Sequence, residues 1–180
     1  MPKPMSNINA DSWFVRNVAV FARAVEVLFG FIWLANVSIK LEMRFVGSFA
    51  GTVSQVASGQ PEWLQGWFGF WVQTLSSNPV FFAYLQLLFE LALGLALILG
   101  FMRKTTYAGG ALLGLLLWSV PESFGGPYGP SSTDIGTGII YTVAFLLLLA
   151  LNAYKGNKYT LDALIEKHIK WWSVIAEVKR

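Results

Sequence analysis

The sequence predicts an all-α integral membrane protein: a four-transmembrane-helix bundle with an outer interfacial aromatic segment and an inner amphipathic C-terminal helix. Three observations lead there. Hydrophobic residues make up 55% of the 180 and charged residues only 13%, about half the charge of a soluble domain. Four apolar runs approach or reach the roughly 20 helical residues that cross a hydrocarbon core of about 30 Å. The basic residues collect at the ends of those runs, as they do in membrane proteins.

The first run covers 17–39. It contains Arg23 and Glu26, and no small-residue cleavage site follows it, so a cleaved signal peptide is not expected. Between 45 and 77 the chain carries Trp63, Trp67 and Trp71 at i, i+4 spacing after a Gln60-Pro61-Glu62 start signal. Phe68 and Phe70 widen that aromatic face, which predicts a lid lying along the outer headgroup layer. The second run covers 80–102. The third, 106–120, is the shortest and stops at Pro121. The fourth covers 135–154.

Residues 1–159 thus form the membrane domain. Residues 160–180 form a cytoplasmic amphipathic helix, with Leu161, Leu164, Ile165, Ile169 and Trp172 on one stripe. Lys3, Arg16, Arg103, Lys104, Lys155, Lys158, Lys167, Lys170, Lys179 and Arg180 flank one side of the runs, against Lys40 and Arg44 on the other. The positive-inside rule then puts both termini of a multi-pass cell-membrane protein in the cytoplasm. A net charge of +3 without basic–aromatic interleaving does not suggest nucleic acid.

Cysteine is absent and His168 is the only histidine. That excludes disulfides, thiolate nucleophiles, cysteine-ligated clusters and bis-histidine metal or haem sites within this chain. Redox chemistry here needs a noncovalent organic cofactor or a partner's metal.

Charges inside apolar runs are costly and call for an explanation. Arg23 and Glu26 lie three apart on one face with Gly30. Glu90 sits in the second run, with Gln86 and Gly94 at i−4 and i+4. Measured from the inner ends of their helices, Glu26 and Glu90 are expected to meet near the midplane. One arginine against two carboxylates leaves one carboxyl short of a counter-charge, and such a group is suited to exchange protons beside a quinone. The plainer reading is a structural Arg23–Glu26 pair with Glu90 hydrogen-bonded across helices. At the outer face, Lys40 and Arg44 stand near Trp118, Glu122, Tyr128 and Asp134. These residues form either an outward pocket for a small anion or a rigid Gly/Pro turn with charges reaching for the headgroups. Ser131, Ser132, Thr133 and Asp134 are N-cap candidates for the fourth run. Gly110 and Gly114, with Gly136 and Gly138, fit close helix packing.

Several of these residues resemble the DoxX/DoxD membrane family. They include Arg23, Gly30 and Lys40 in the first run, then Leu88-Phe89-Glu90-Leu91 with Gly94, Gly100 and Arg103. The most specific stretch runs from Trp118 through Pro121-Glu122-Ser123-Phe124-Gly125-Gly126-Pro127-Tyr128 to Thr133-Asp134-Ile135-Gly136-Thr137 and Tyr141. It is similar to the DoxD branch, the small subunit of thiosulfate:quinone oxidoreductase of sulfur-oxidising archaea. The resemblance implies a four-helix subunit working with a DoxA-like second subunit, oxidising two thiosulfates to tetrathionate and passing the electrons to a membrane quinone. It also implies archaeal terminal quinol oxidase subunits as possible partners.

The resulting expectation assigns Glu90, Glu26 and Arg23 to catalysis and Lys40, Arg44, Trp118, Glu122, Tyr128 and Asp134 to substrate binding. No metal or haem is expected in the chain. One difficulty is built in: Lys40 lies roughly 21 Å along the helix from Glu26, too far for one compact site. Either the quinone head sits near Trp118 and Glu122, or the inner charges are structural. The alternative to catalysis is a noncatalytic subunit of a larger respiratory complex. A sulfur-anion transporter ranks below both, since helix-breaking pairs in symmetric halves are missing.

Overall fold

The computed structural model describes residues 13–42, 44–126, 135–153 and 159–178, and among these it contains helices and no strand. Four helices coincide with the apolar runs: α1 (Trp13–Glu42), α4 (Pro79–Leu99), α5 (Arg103–Ser119) and α6 (Thr137–Asn152). Two segments are long and apolar enough to cross a membrane: 17–42 of α1 and the whole of α4, with mean hydropathies of 2.0 and 2.1. α6 is equally apolar in character but has 16 residues, and α5 has 17.

Local chemistry sets the ends of α4. The Asn78 side chain accepts a hydrogen bond from the Phe81 amide at 3.2 Å and Pro79 fills the first turn, a start that satisfies one orphan donor and presets φ. At the far end Gly100 caps the helix at φ 64°. A Cβ there would stand 2.7 Å from Thr160, so the position requires glycine twice over, for conformation and for space.

α1 packs on α4 and α5 packs on α6, each pair antiparallel. Small residues let the backbones close in. A Cβ on Gly30 of α1 would lie 2.8 Å from the Gly94 carbonyl of α4. Gly110 lies beneath the Phe145 ring, and Gly114 faces Gly138 and Thr142. The centre is filled by Phe29, Trp33, Leu97, Tyr107, Ala111, Phe145 and Leu148, with Phe29, Trp33, Tyr141 and Phe145 in mutual ring contact.

At one end of the bundle sit the start of α1, the end of α4, the start of α5 and the chain's tail. α2 (Phe45–Gln55) and α3 (Gln65–Ser76) cap the other end. α2 has no counterpart in the sequence expectation. α3 is the expected aromatic helix, but its faces are shared out differently. Trp63 is exposed, and Phe68, expected on the outward face, is fully buried with Val56 and Val120. Positions 64, 68, 71, 72 and 75 follow the inward helical period, which turns Phe68 and Trp71 toward the bundle.

The tail also departs from expectation. In place of one amphipathic helix over 160–180 it forms α7 (Leu161–Ile165), a 3-10 turn (Lys170–Trp172) and α8 (Ser173–Ala176). Leu164 and Ile169 of the supposed apolar stripe are exposed, while Asp162 is wholly buried. The Asp162 carboxylate accepts from the Met102 and Arg103 amides (2.8 and 3.0 Å), from Arg103 Nε (3.4 Å) and from Trp172 Nε1 (2.8 Å). It thereby satisfies two orphan amides at the start of α5; Thr105 Oγ1 and Asn152 Nδ2 also donate to the Ile175 and Ala176 carbonyls at 3.1 and 3.2 Å, so the tail is fastened to the bundle at several points.

Candidate functional site

The cap end encloses a cavity of about 460 Å³, a size suited to a small organic ligand. Its walls come from six helices: Trp33, Asn36 and Lys40 of α1, Phe45, Phe49 and Val53 of α2, Trp71 of α3, Gln86, Phe89 and Glu90 of α4, Leu113 and Leu116 of α5, and α6. Glu122, Gly138 and Tyr141 complete it. The lining is mostly apolar with a few polar groups, the composition that orients a ligand by a small number of hydrogen bonds.

Those polar groups centre on Glu90, which is completely buried. Its Oε1 accepts from Lys40 Nζ in an ion pair and from Gln86 Nε2 at 2.9 Å. Its Oε2 is buried without a protein partner, as is Trp33 Nε1. A buried carboxylate can repay its desolvation only through well-formed partners, so the free oxygen marks unspent hydrogen-bonding capacity. Lys40 Nζ also lies 5.3 Å from the centre of the Phe45 ring, where a cation gains from the ring face. Asn36 Nδ2 donates to the Tyr141 hydroxyl at 3.4 Å.

Arg23 and Glu26 lie elsewhere. Arg23 Nη1 bonds to Glu26 Oε2 at 2.7 Å and to the Leu97 carbonyl at 2.7 Å, Nη2 bonds to the Ile98 carbonyl, and Nε bonds to the Tyr159 carbonyl at 3.0 Å. This guanidinium therefore caps the end of α4 and ties the tail to it. Around Glu26, a cavity of only about 30 Å³ is lined by Arg103, Tyr107 and Asn152.

The expected meeting of Glu26 with Glu90 does not occur. α1 and α4 cross antiparallel at Gly30 and Gly94. Each glutamate precedes its glycine by four residues, so the two are displaced in opposite directions. The separation along the bundle is about 12 Å.

Of the outer constellation, Lys40 is in the cavity wall, and Arg44 is exposed at φ 52° between α1 and α2. Trp118 Nε1 donates to the Ile135 carbonyl at 2.7 Å. Glu122 accepts from the Thr137 hydroxyl at 2.6 Å and from the Gly138 amide at 2.9 Å. Both side chains fasten the end of α5 to the start of α6, and Glu122 serves as a carboxylate cap at a helix N-terminus. Tyr128 and Asp134, with the other N-cap candidates Ser131, Ser132 and Thr133, lie outside the described residues.

Sequence reasoning overlooked Trp33, Asn36 and the α2 residues Phe45, Phe49 and Val53 as parts of a site. The α2 spacing of 45, 49, 53 and 56 was a readable helical signal. Nothing local marked Trp33 or Asn36, because an indole and an amide in an apolar run read as packing. Comparison with known proteins finds no matching family model, no matching curated protein and no matching solved structure.

Proposed function

We propose that this chain is a multi-pass membrane protein whose cap-end cavity binds a quinone head group. In this reading it is the membrane subunit of a DoxD-type thiosulfate:quinone oxidoreductase. The observation that carries the reading is the Lys40–Glu90–Gln86 group inside a largely apolar cavity, with one Glu90 oxygen and the Trp33 N–H unpartnered. A quinone ring is flat and apolar with two oxygen acceptors, and its reduced form also donates. Trp33 can donate to an oxygen. Glu90 Oε2 can accept from a hydroxyl, or donate when the carboxyl is protonated.

Two thiosulfates joined through a new S–S bond to tetrathionate release two electrons. The quinone takes up those electrons and two protons to become the quinol. Glu90 and Lys40 are the proton-bearing groups of the cavity, and Gln86 orients Glu90. Arg23 and Glu26 hold α4 and the tail. Arg44, exposed beside α2, is the remaining cap-end cation for an approaching anion, since Lys40 is engaged by Glu90. A DoxA-like partner completes the thiosulfate side. Four crossings by α1, α4, α5 and α6 place the tail and the Arg103–Lys104 turn together at one face, which the positive-inside rule assigns to the cytoplasm.

The test is thiosulfate-dependent quinone reduction by the chain purified with its partner. Glu90→Gln and Lys40→Ala are each expected to lower turnover by about 100-fold, the lower range of general acid–base contributions, while Arg23→Lys retains activity wherever the fold survives. Unchanged turnover in both cavity variants, with the complex still assembled, would remove the site assignment. A wild-type preparation that neither binds quinone nor turns over would leave the noncatalytic respiratory-subunit reading.

A further inference from the structure

α4 and α5 are joined by only three residues, Gly100, Phe101 and Met102, and present small side chains to each other at Ala92, Ala96 and Gly109. Helices with such faces ordinarily close together in membranes. These two do not, because each is committed elsewhere: α4 to α1 through Gly94 and Gly30, and α5 to α6 through Gly110 and Gly114. A groove of about 520 Å³ is left between them.

The groove offers nothing to a polar head. Apart from backbone, its polar lining consists of two threonine hydroxyls, and both are spent: Thr106 Oγ1 donates to the Phe101 carbonyl at 2.9 Å and Thr105 Oγ1 to the Ile175 carbonyl at 3.1 Å. The groove also adjoins the cavity. Phe89, Leu113 and Leu116 line both spaces, so the polar-tipped cavity and the largely apolar groove share a wall.

We propose that the α4–α5 groove holds the hydrocarbon tail of the same membrane-dissolved molecule whose head occupies the cavity. The inference rests on the quinone reading and narrows it to quinones with a linear isoprenoid tail. The groove follows α5 from Thr105 to Leu116, about 16 Å, which accommodates about three extended isoprene units. Lipid chains are as apolar as the groove, so the tail gains no hydrophobic driving force by leaving the bilayer. Its preference comes from fitted contacts and is correspondingly modest.

Gly109 supplies the test. A Cβ there meets nothing within 4 Å, so a substituted side chain starts in open space at the groove wall and raises helix propensity. Binding is followed by quenching of tryptophan fluorescence in lipid nanodiscs, with ligand expressed as mole fraction in the bilayer so that partitioning cancels. The probes are a bare dimethoxy-methyl-benzoquinone and the same ring with a three-isoprene tail. In the wild type the tailed probe is expected to bind about fivefold more tightly. Gly109→Leu removes that advantage and leaves the bare ring unaffected, while Gly109→Ala preserves it. Equal binding of the two probes, or an advantage that survives Gly109→Leu, overturns the tail assignment alone. Absence of binding by either probe overturns the head-group reading and the tail assignment together.

Discussion

Glu90 and Glu122 are both short of full exposure, both line the same cavity, and differ in how their oxygens are used. Glu122 spends both: Oε1 on the Thr137 hydroxyl and Oε2 on the Gly138 amide. Glu90 concentrates Lys40 and Gln86 on Oε1 and leaves Oε2 without a partner. By this criterion Glu122 is a cap, and Glu90 keeps an oxygen for a ligand in the proposed reading. Glu122→Ala is therefore expected to destabilise the protein by about 1–2 kcal/mol, the value of a lost N-cap, and to lower the thermal midpoint by several degrees, with Glu122→Gln retaining most of the loss-free behaviour. An unaltered midpoint in detergent for Glu122→Ala would show that the cap does not fasten α5 to α6. Sequence alone assigned Glu90 to catalysis and Glu122 to substrate binding, and could not show that Glu122 is a cap, because its partners Thr137 and Gly138 lie on another helix.

At the scale of elements, what was legible followed from run length. α1, α4, α5 and α6 lie where continuous apolar residues put them, with ends shifted by a few residues where caps such as Asn78 and Gly100 intervene. α2 was overlooked although its period of 45, 49, 53 and 56 was readable, because Gly47, Ser48, Gly51, Thr52 and Ser54 have low helix propensity. The tail misled in the opposite direction. Its apolar spacing describes a helix, yet the decisive contact joins Asp162 to the start of α5, sixty residues back in the chain, and no local pattern records that. Asp162 is the latch. Asp162→Ala strands the buried Arg103 without its counter-charge, a loss of about 3–5 kcal/mol for a broken buried pair, and frees two α5 amides. Limited trypsinolysis should then cut at Lys167 and Lys170 much faster than in the wild type. An identical digestion rate would mean that the tail is held by something other than this carboxylate.

The whole molecule keeps its two charged clusters at opposite sides of the Gly30–Gly94 crossing. This arrangement resolves the distance difficulty that the sequence posed. Lys40 cannot reach a site built around Glu26, but it does reach Glu90, because the antiparallel partner carries Glu90 toward the cap end. At the tail end Arg23 closes α4, Asp162 closes the start of α5, and Glu26 bonds to Arg23 beside a space of about 30 Å³. The cap end keeps the larger volume and the aromatic walls, and unpartnered buried polar atoms occur at both ends: Glu90 Oε2 and Trp33 Nε1 at the cap, Glu26 Oε1 and Arg103 Nη2 at the tail. The sequence pointed to residues at both ends, and only three-dimensional pairing shows that Lys40 meets Glu90 while Arg23 meets Glu26.

The claim on which the account turns is that the quinone head occupies the cap-end cavity. Photolabelling in native membranes with an azido-quinone, followed by peptide mapping, addresses it directly. A head group seated there gives adducts on the walls formed by Trp33 to Lys40, Trp71, Gln86 to Glu90 and Tyr141, suppressed by excess unlabelled quinone and lost in Glu90→Gln. Competed adducts confined to the tail-end cluster around Arg23, Glu26 and Tyr107, or no competed adducts on this chain, would contradict it.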